Sequence, residues 1–125
     1  MKEIKGFEDL VVFQRAYKHS LELHRLSLRM PKEEQYSGIA DQLRRASKGI
    51  CANVAEGYGK QHVSHKEFQR YLAIAIGSAN EVRVWLRYAF DLGYIDERQW
   101  NESKEAYFEV AKMLTGLHKS WGSNH

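Results

Sequence analysis

Between Phe68 and Ala89 the apolar residues Phe68, Leu72, Ala75, Ala79, Val82, Leu86 and Ala89 recur in strictly alternating steps of four and three. A strand needs alternation every second residue, so this spacing admits only a helix with one continuous buried face. Steps of that kind belong to helices packed at a shallow angle against other helices. The helix also marks its own start. Ser64 and Glu67 have capping-box spacing, and Val63 and Phe68 flank them at hydrophobic-staple positions. A chain of 125 residues with a single Pro has few points at which such helices must break.

Three further segments carry the same signature. From about 8 to 30, Leu10, Phe13, Tyr17, Leu21 and Leu28 form one stripe, with Val12, Ala16, Leu23, Leu26 and Met30 beside it. Pro31 disfavours helical backbone at Met30 and predicts the end of this helix there. From about 36 to 58 the stripe is Ile39, Leu43, Ala46, Ile50 and Val54, and Gly57 and Gly59 predict the stop. From about 97 to 121 it is Trp100, Tyr107, Val110, Leu114, Leu117 and Trp121, with Asp96 and Gln99 as a second capping box and Ile95 and Trp100 as its staple. Together with the helix over 65–92, these predict one all-α domain, an up-down-up-down antiparallel four-helix bundle spanning 1–125. Helices 1 and 3 each have more apolar surface than one face requires, and the surplus on helix 3 is aromatic. Tyr71, Ile74, Trp85 and Tyr88 are therefore assigned to an oligomer interface.

Several chemistries are argued against. The residues three before each His are Ala16, Leu21, Gly59, His62, Thr115 and Gly122, so the Glu-x-x-His pairs of a di-iron bundle do not occur. His62 and His65 lack further ligands at metal spacing, and no metal or other cofactor is expected. Cys51, the only thiol, sits among small residues and reads as a packing group, not a nucleophile. Gly57-Tyr58-Gly59-Lys60 lacks the spacing of a phosphate-binding loop. The expectation is a protein that is not an enzyme. Residues 1–6 show no apolar run of the secretory kind, and no stretch reaches membrane-spanning length, so a cytoplasmic location without membrane contact is expected.

The net charge of +3 becomes informative once it is mapped. Residues 41–70 hold Arg44, Arg45, Lys48, Lys60, Lys66 and Arg70 against Asp41, Glu56 and Glu67, while the rest of the chain has thirteen charges of each sign. These six basic residues are the candidate RNA or DNA contacts, with Tyr36 and Tyr58 nearby as stacking aromatics. The alternative is an ion-pair network in which Arg45 reaches Glu56 or Glu81 and Arg44 reaches Asp41.

Several blocks of residues resemble a known family. Phe7-Glu8-Asp9-Leu10 with Phe13-Gln14 and Ala16 is similar to its opening motif. Gln42-Leu43-Arg44-Arg45-Ala46 and Asn53-Val54-Ala55-Glu56-Gly57 are similar to its central signature. Phe68, Tyr71-Leu72, Ala75, Gly77-Ser78 and Glu81, then Asp91-Leu92-Gly93-Tyr94-Ile95, resemble the following blocks. In order and spacing, over about residues 7 to 96, the chain resembles the bacterial four-helix bundle proteins related to the 23S rRNA intervening-sequence protein. The resemblance implies a homo-oligomeric ring, typically a pentamer, without enzymatic activity. A related branch, accessory proteins of diversity-generating retroelements, implies a reverse transcriptase and nucleic acid as partners. The alternative function is a protein-interaction scaffold or accessory subunit with no nucleic-acid specificity of its own. In physical terms, Asn53 reads as a buried hydrogen-bonding residue, Gly77 and Ser78 as a close-approach site for another helix, and Glu81 as a receptor for an arginine.

Overall fold

The computed structural model describes residues 3–123. Its helices are α1 (Val11–Ser27), α2 (Ile39–Gly59), α3 (His65–Asp91) and α4 (Glu97–Ser123), with single 3-10 turns at Phe7–Asp9 and Lys32–Glu34. No strand occurs among the described residues. Each helix packs on the next in the chain, and α1 also packs on α4. Among the described residues the backbones of the diagonal pairs do not come close, and Tyr107 of α4 reaches α2 through its side chain, at Ser47.

The core is the one the stripes of α2, α3 and α4 predict. Leu43, Ile50, Val54, Phe68, Leu72, Val82, Leu86, Tyr107, Val110 and Leu114 are all buried, with Ala75, Ala79 and Ala89 letting α3 sit close to its neighbours. In α1 the structure decides between the two stripes. Val12, Ala16, Leu23 and Met30 face the core, while Tyr17, Leu21 and Leu28 are exposed. Periodicity fixes which residues share a face but not which of two neighbouring apolar faces turns inward.

The helix ends differ from the spacing in instructive ways. Helix 1 starts at Val11 and not Glu8, because Leu10 is extended and the Asp9 carboxylate closes a separate turn by accepting from the amides of Lys5 and Gly6. It ends at Ser27, before Pro31 acts. Helix 2 starts at Ile39 and not Tyr36. Ser37 takes a left-handed backbone (φ 61°), and Glu34 Oε1 accepts from the Ile39 amide at 2.8 Å. Gly57 lies inside the last turn of α2 and does not stop it. A Cβ there would lie 2.6 Å from Tyr71 Cβ and 3.1 Å from the Phe68 ring, so glycine is required for α2 to approach α3. Gly77, by contrast, faces open space. The Ser64 side chain accepts from the Glu67 amide as predicted, but Val63 is 86% exposed and forms no staple. The box at the start of α4 is complete, with Asp96 Oδ1 accepting from the Gln99 amide and Gln99 Oε1 from the Asp96 amide. Gly93, at φ 78°, ends α3. The Tyr94 amide bonds back to Ala89 and the Gly93 amide to Phe90, a complete Schellman motif.

Candidate nucleic-acid interface

The six basic residues do not form one patch. About 18 Å of helix rise separates Lys48 from Lys60, and the residues gather at two places.

The first lies where the end of α1 meets the first half of α2. Arg44 turns inward, its guanidinium donating to Ser27 Oγ (2.8 Å), Gln35 Oε1 (3.1 Å) and the Gln35 carbonyl (2.8 Å). Gln35 in turn donates to the carbonyls of Ser27 and Met30. Arg44 thus ties the α1–α2 connection to α2, and the expected pair with Asp41 does not form. Asp41 instead pairs with Arg45 at 3.0 Å, so the expected reach of Arg45 to Glu56 or Glu81 is also replaced. The spacing of four residues on one helix face favours this local partner. Lys48 Nζ lies 2.8 Å from His24 Nδ1. An ammonium can only donate, so the imidazole accepts and is neutral there. Lys48 above all, then burial, then Arg44 and Arg25, hold the His24 pKa below its ordinary value.

The second cluster surrounds the α2–α3 turn. Lys60 and Arg70 lie over the Tyr71 ring, at 5.9 and 4.6 Å from its centroid. Arg70 Nε also pairs with Glu67 at 3.0 Å, and that hydrogen bond holds the Glu67 carboxyl below its usual range. Lys66 is exposed beside them. Of the two nearby aromatics, Tyr36 is 88% exposed, whereas Tyr58 packs edge-on against Phe68.

The residues expected at an oligomer interface divide between two positions on α3. Tyr71 abuts Gly57, and Ser78 lies beside Gly49, so this row of α3, continued by Trp85 a heptad later, runs along α2. Ile74 and Tyr88 stand exposed just outside it. On the other flank, Tyr17, Leu21, His24 and Leu28 form one row of α1, and the contact of His24 with Lys48 sets that row alongside α2. The outer face of α2, with Arg45 and Lys48, therefore lies between two exposed apolar rows. The α1 row carries as much of this surface as α3 does. Its residues form one of the two apolar stripes of that segment, and their exposure marks it as the outward one.

Other expected groups take structural roles. Asn53 bonds to the Gly49 carbonyl of its own helix, and no arginine pairs with the exposed Glu81 among the described residues. Burial pushes the Cys51 thiol up to about 11, which keeps it protonated and a poor nucleophile. Among the described residues no group of His, Cys, Asp and Glu could hold a metal ion. A groove of about 360 Å³ between α1 and α4 is lined by His19, Glu22, Arg98 and Glu102. Its charges are largely paired within their own helices, His19 with Glu22 and Arg98 with Glu102. No helix among the described residues is long and apolar enough to cross a membrane.

Comparison with known proteins agrees with this architecture. A solved structure from Bacteroides thetaiotaomicron, a protein of unknown function from the S23 ribosomal protein family, superimposes with a TM-score of 0.78 at 26% identity. It covers 87% of this chain and 99% of its own. No curated protein matches. The family model described as 23S rRNA-intervening sequence protein matches residues 8–116, which takes in all of α1, α2 and α3 and most of α4. The chain belongs to the 23S rRNA-intervening sequence protein family.

Proposed function

We propose that this protein is a non-catalytic, cytoplasmic, homo-oligomeric bundle that contacts RNA or DNA through the basic residues of α2 and the start of α3. The observation that carries the reading is the gathering of Lys60, Lys66 and Arg70 around the exposed end of the bundle, with Arg45 and Lys48 on the adjoining α2 face. Arg44 stands behind them as the group that holds α2 in place. The order of helix packing and the bond from Tyr94 to Glu34, which joins the α1–α2 connection to the α3–α4 turn, support the up-down-up-down arrangement. The apolar rows flanking α2 support assembly into a ring, with a pentamer as the form expected of it.

Binding to a structured RNA, followed across a salt series, tests the nucleic-acid reading. Affinity is expected to fall steeply with salt. Replacing Lys48, Lys60, Lys66 and Arg70 together with Ala is expected to lower it by about tenfold or more at low salt and to flatten the slope, by up to roughly 0.9 per lost phosphate contact on a duplex. No binding at low salt, or binding that the replacement leaves unchanged, refutes it.

The second reading, an accessory subunit for a protein such as a reverse transcriptase, draws on the same apolar rows. Light scattering separates self-association from that role. A pentamer is expected, and Leu28→Glu with Tyr88→Glu is expected to yield monomers of unchanged helicity. A wild-type monomer at high concentration would instead leave those rows for a different protein.

A further inference from the structure

The flank of α3 that turns away from α2 meets α4 in a groove of about 440 Å³. Ile76, Asn80 and Arg83 of α3 line one side, and Phe108, Lys112 and Lys119 of α4 line the other. Phe108 is 42% exposed, and two cations lie over its ring, Arg83 at 5.3 Å and Lys112 at 5.6 Å from the centroid. Further along α4, Lys104 lies over the Trp100 ring at 5.0 Å. From Lys104 through Lys112 to Lys119 the cations cover about 22 Å of helix. Glu109 meets Lys112 only at 3.9 Å, with both side chains well exposed, and such a contact holds its partner weakly.

We infer that this α3–α4 groove binds unpaired, single-stranded nucleic acid, its cations on the backbone and the Phe108 ring under a base. Charge complementarity calls for a polyanion. The aromatic narrows the class, because a ring set between two helices can stack on an unpaired base but not on one inside a duplex. The cations over the ring also supply an exchange. A base that takes the ring face displaces Arg83 or Lys112 towards the adjacent phosphate, and base stacking outweighs the exposed cation–ring contact it replaces. The inference deepens the nucleic-acid reading above and rests on it, but it uses none of the same side chains. Mapping charge along the chain does not reveal the groove, since Arg83 and Lys112 come from different helices.

Fluorescence anisotropy of the full chain with a labelled oligouridine strand and, separately, a blunt RNA hairpin tests it. Phe108→Ala, and Arg83→Ala with Lys112→Ala, are each expected to weaken the single strand by about tenfold and to leave the hairpin unchanged. The Lys48, Lys60, Lys66 and Arg70 replacement is expected to weaken the hairpin more than the strand. Thermal melts of each variant guard against misfolding, and photo-crosslinking of a thiouridine-containing strand to wild-type protein gives a readout free of substitutions. Crosslinks in α3–α4 peptides support the groove. Crosslinks confined to α2, or single-strand binding indifferent to Phe108, overturn it while leaving the α2 reading standing. If the wild type binds neither RNA, both fall.

Discussion

Replacing Phe68 with Ala is expected to destabilise the bundle by about 3–5 kcal/mol, the range for a fully buried aromatic whose cavity cannot collapse. Phe68 is fully enclosed. Its ring meets Trp121 of α4 edge-on at 4.9 Å and Tyr58 of α2 at 5.8 Å, so both helices lose their shared partner on α3 at once. The neighbouring backbone of α2 has already come as near as Gly57 permits, which leaves little freedom for it to move in and fill the void. Thermal unfolding at fixed protomer concentration should show a fall of about 10 °C or more. Phe68→Leu, which keeps most of the volume, should recover a large part of it. A shift of only one or two degrees for the Ala variant would mean that α2, α3 and α4 do not share this core.

Arg44→Ala is expected to be the second most damaging change, at about 2–3 kcal/mol, since hydrogen bonds from a charged donor are each worth roughly 1.5–3 kcal/mol and are partly replaced by water here. The substitution removes three bonds and strips Gln35 of the group that orients it. Arg44→Lys should not rescue the loss. Two nitrogens of a planar fork serve these acceptors, and one ammonium on a flexible stem cannot hold the same geometry. Urea unfolding checks the energetics, and the salt dependence of RNA binding checks the role. A structural arginine leaves the salt slope of the surviving folded protein unchanged, whereas a phosphate contact lowers it.

How much was legible varied by element. In α3 the regular stripe from Phe68 to Ala89 stood apart from the aromatic surplus beside it, and every residue of that stripe is buried. In α1 two apolar faces lie side by side, and the pattern had no means of ranking them; the partner helices decide. The family signature was visible as far as Ile95, while the family match reaches residue 116. Charge was misleading in a different way. Residues 41–70 are contiguous in sequence, yet a straight helix carries Lys48 and Lys60 apart, and Arg44 is spent on an intramolecular network that spacing alone does not reveal. The Arg83–Phe108 contact, twenty-five residues apart in the chain, needs the α3–α4 packing to exist at all.

The bond between Tyr94 and Glu34 has a consequence for how the molecule comes apart. Glu34 uses one carboxylate oxygen to hold the first amide of α2 and the other to accept from the Tyr94 hydroxyl just past α3. That shared proton acceptor holds the Tyr94 pKa above its usual value, since an ionised hydroxyl would have nothing to donate and would face a carboxylate. Two connections far apart in sequence are thereby made to open as one cooperative unit. At the other end of the bundle, local bonds such as the Ser64 amide to the Lys60 carbonyl hold the α2–α3 turn, and the start of α3 is tied to α4 by Gln69, which donates to the His118 carbonyl, and by the His65–Trp121 ring contact. Opening at that end, next to Lys60 and Lys66, must therefore release the last turns of α4 as well.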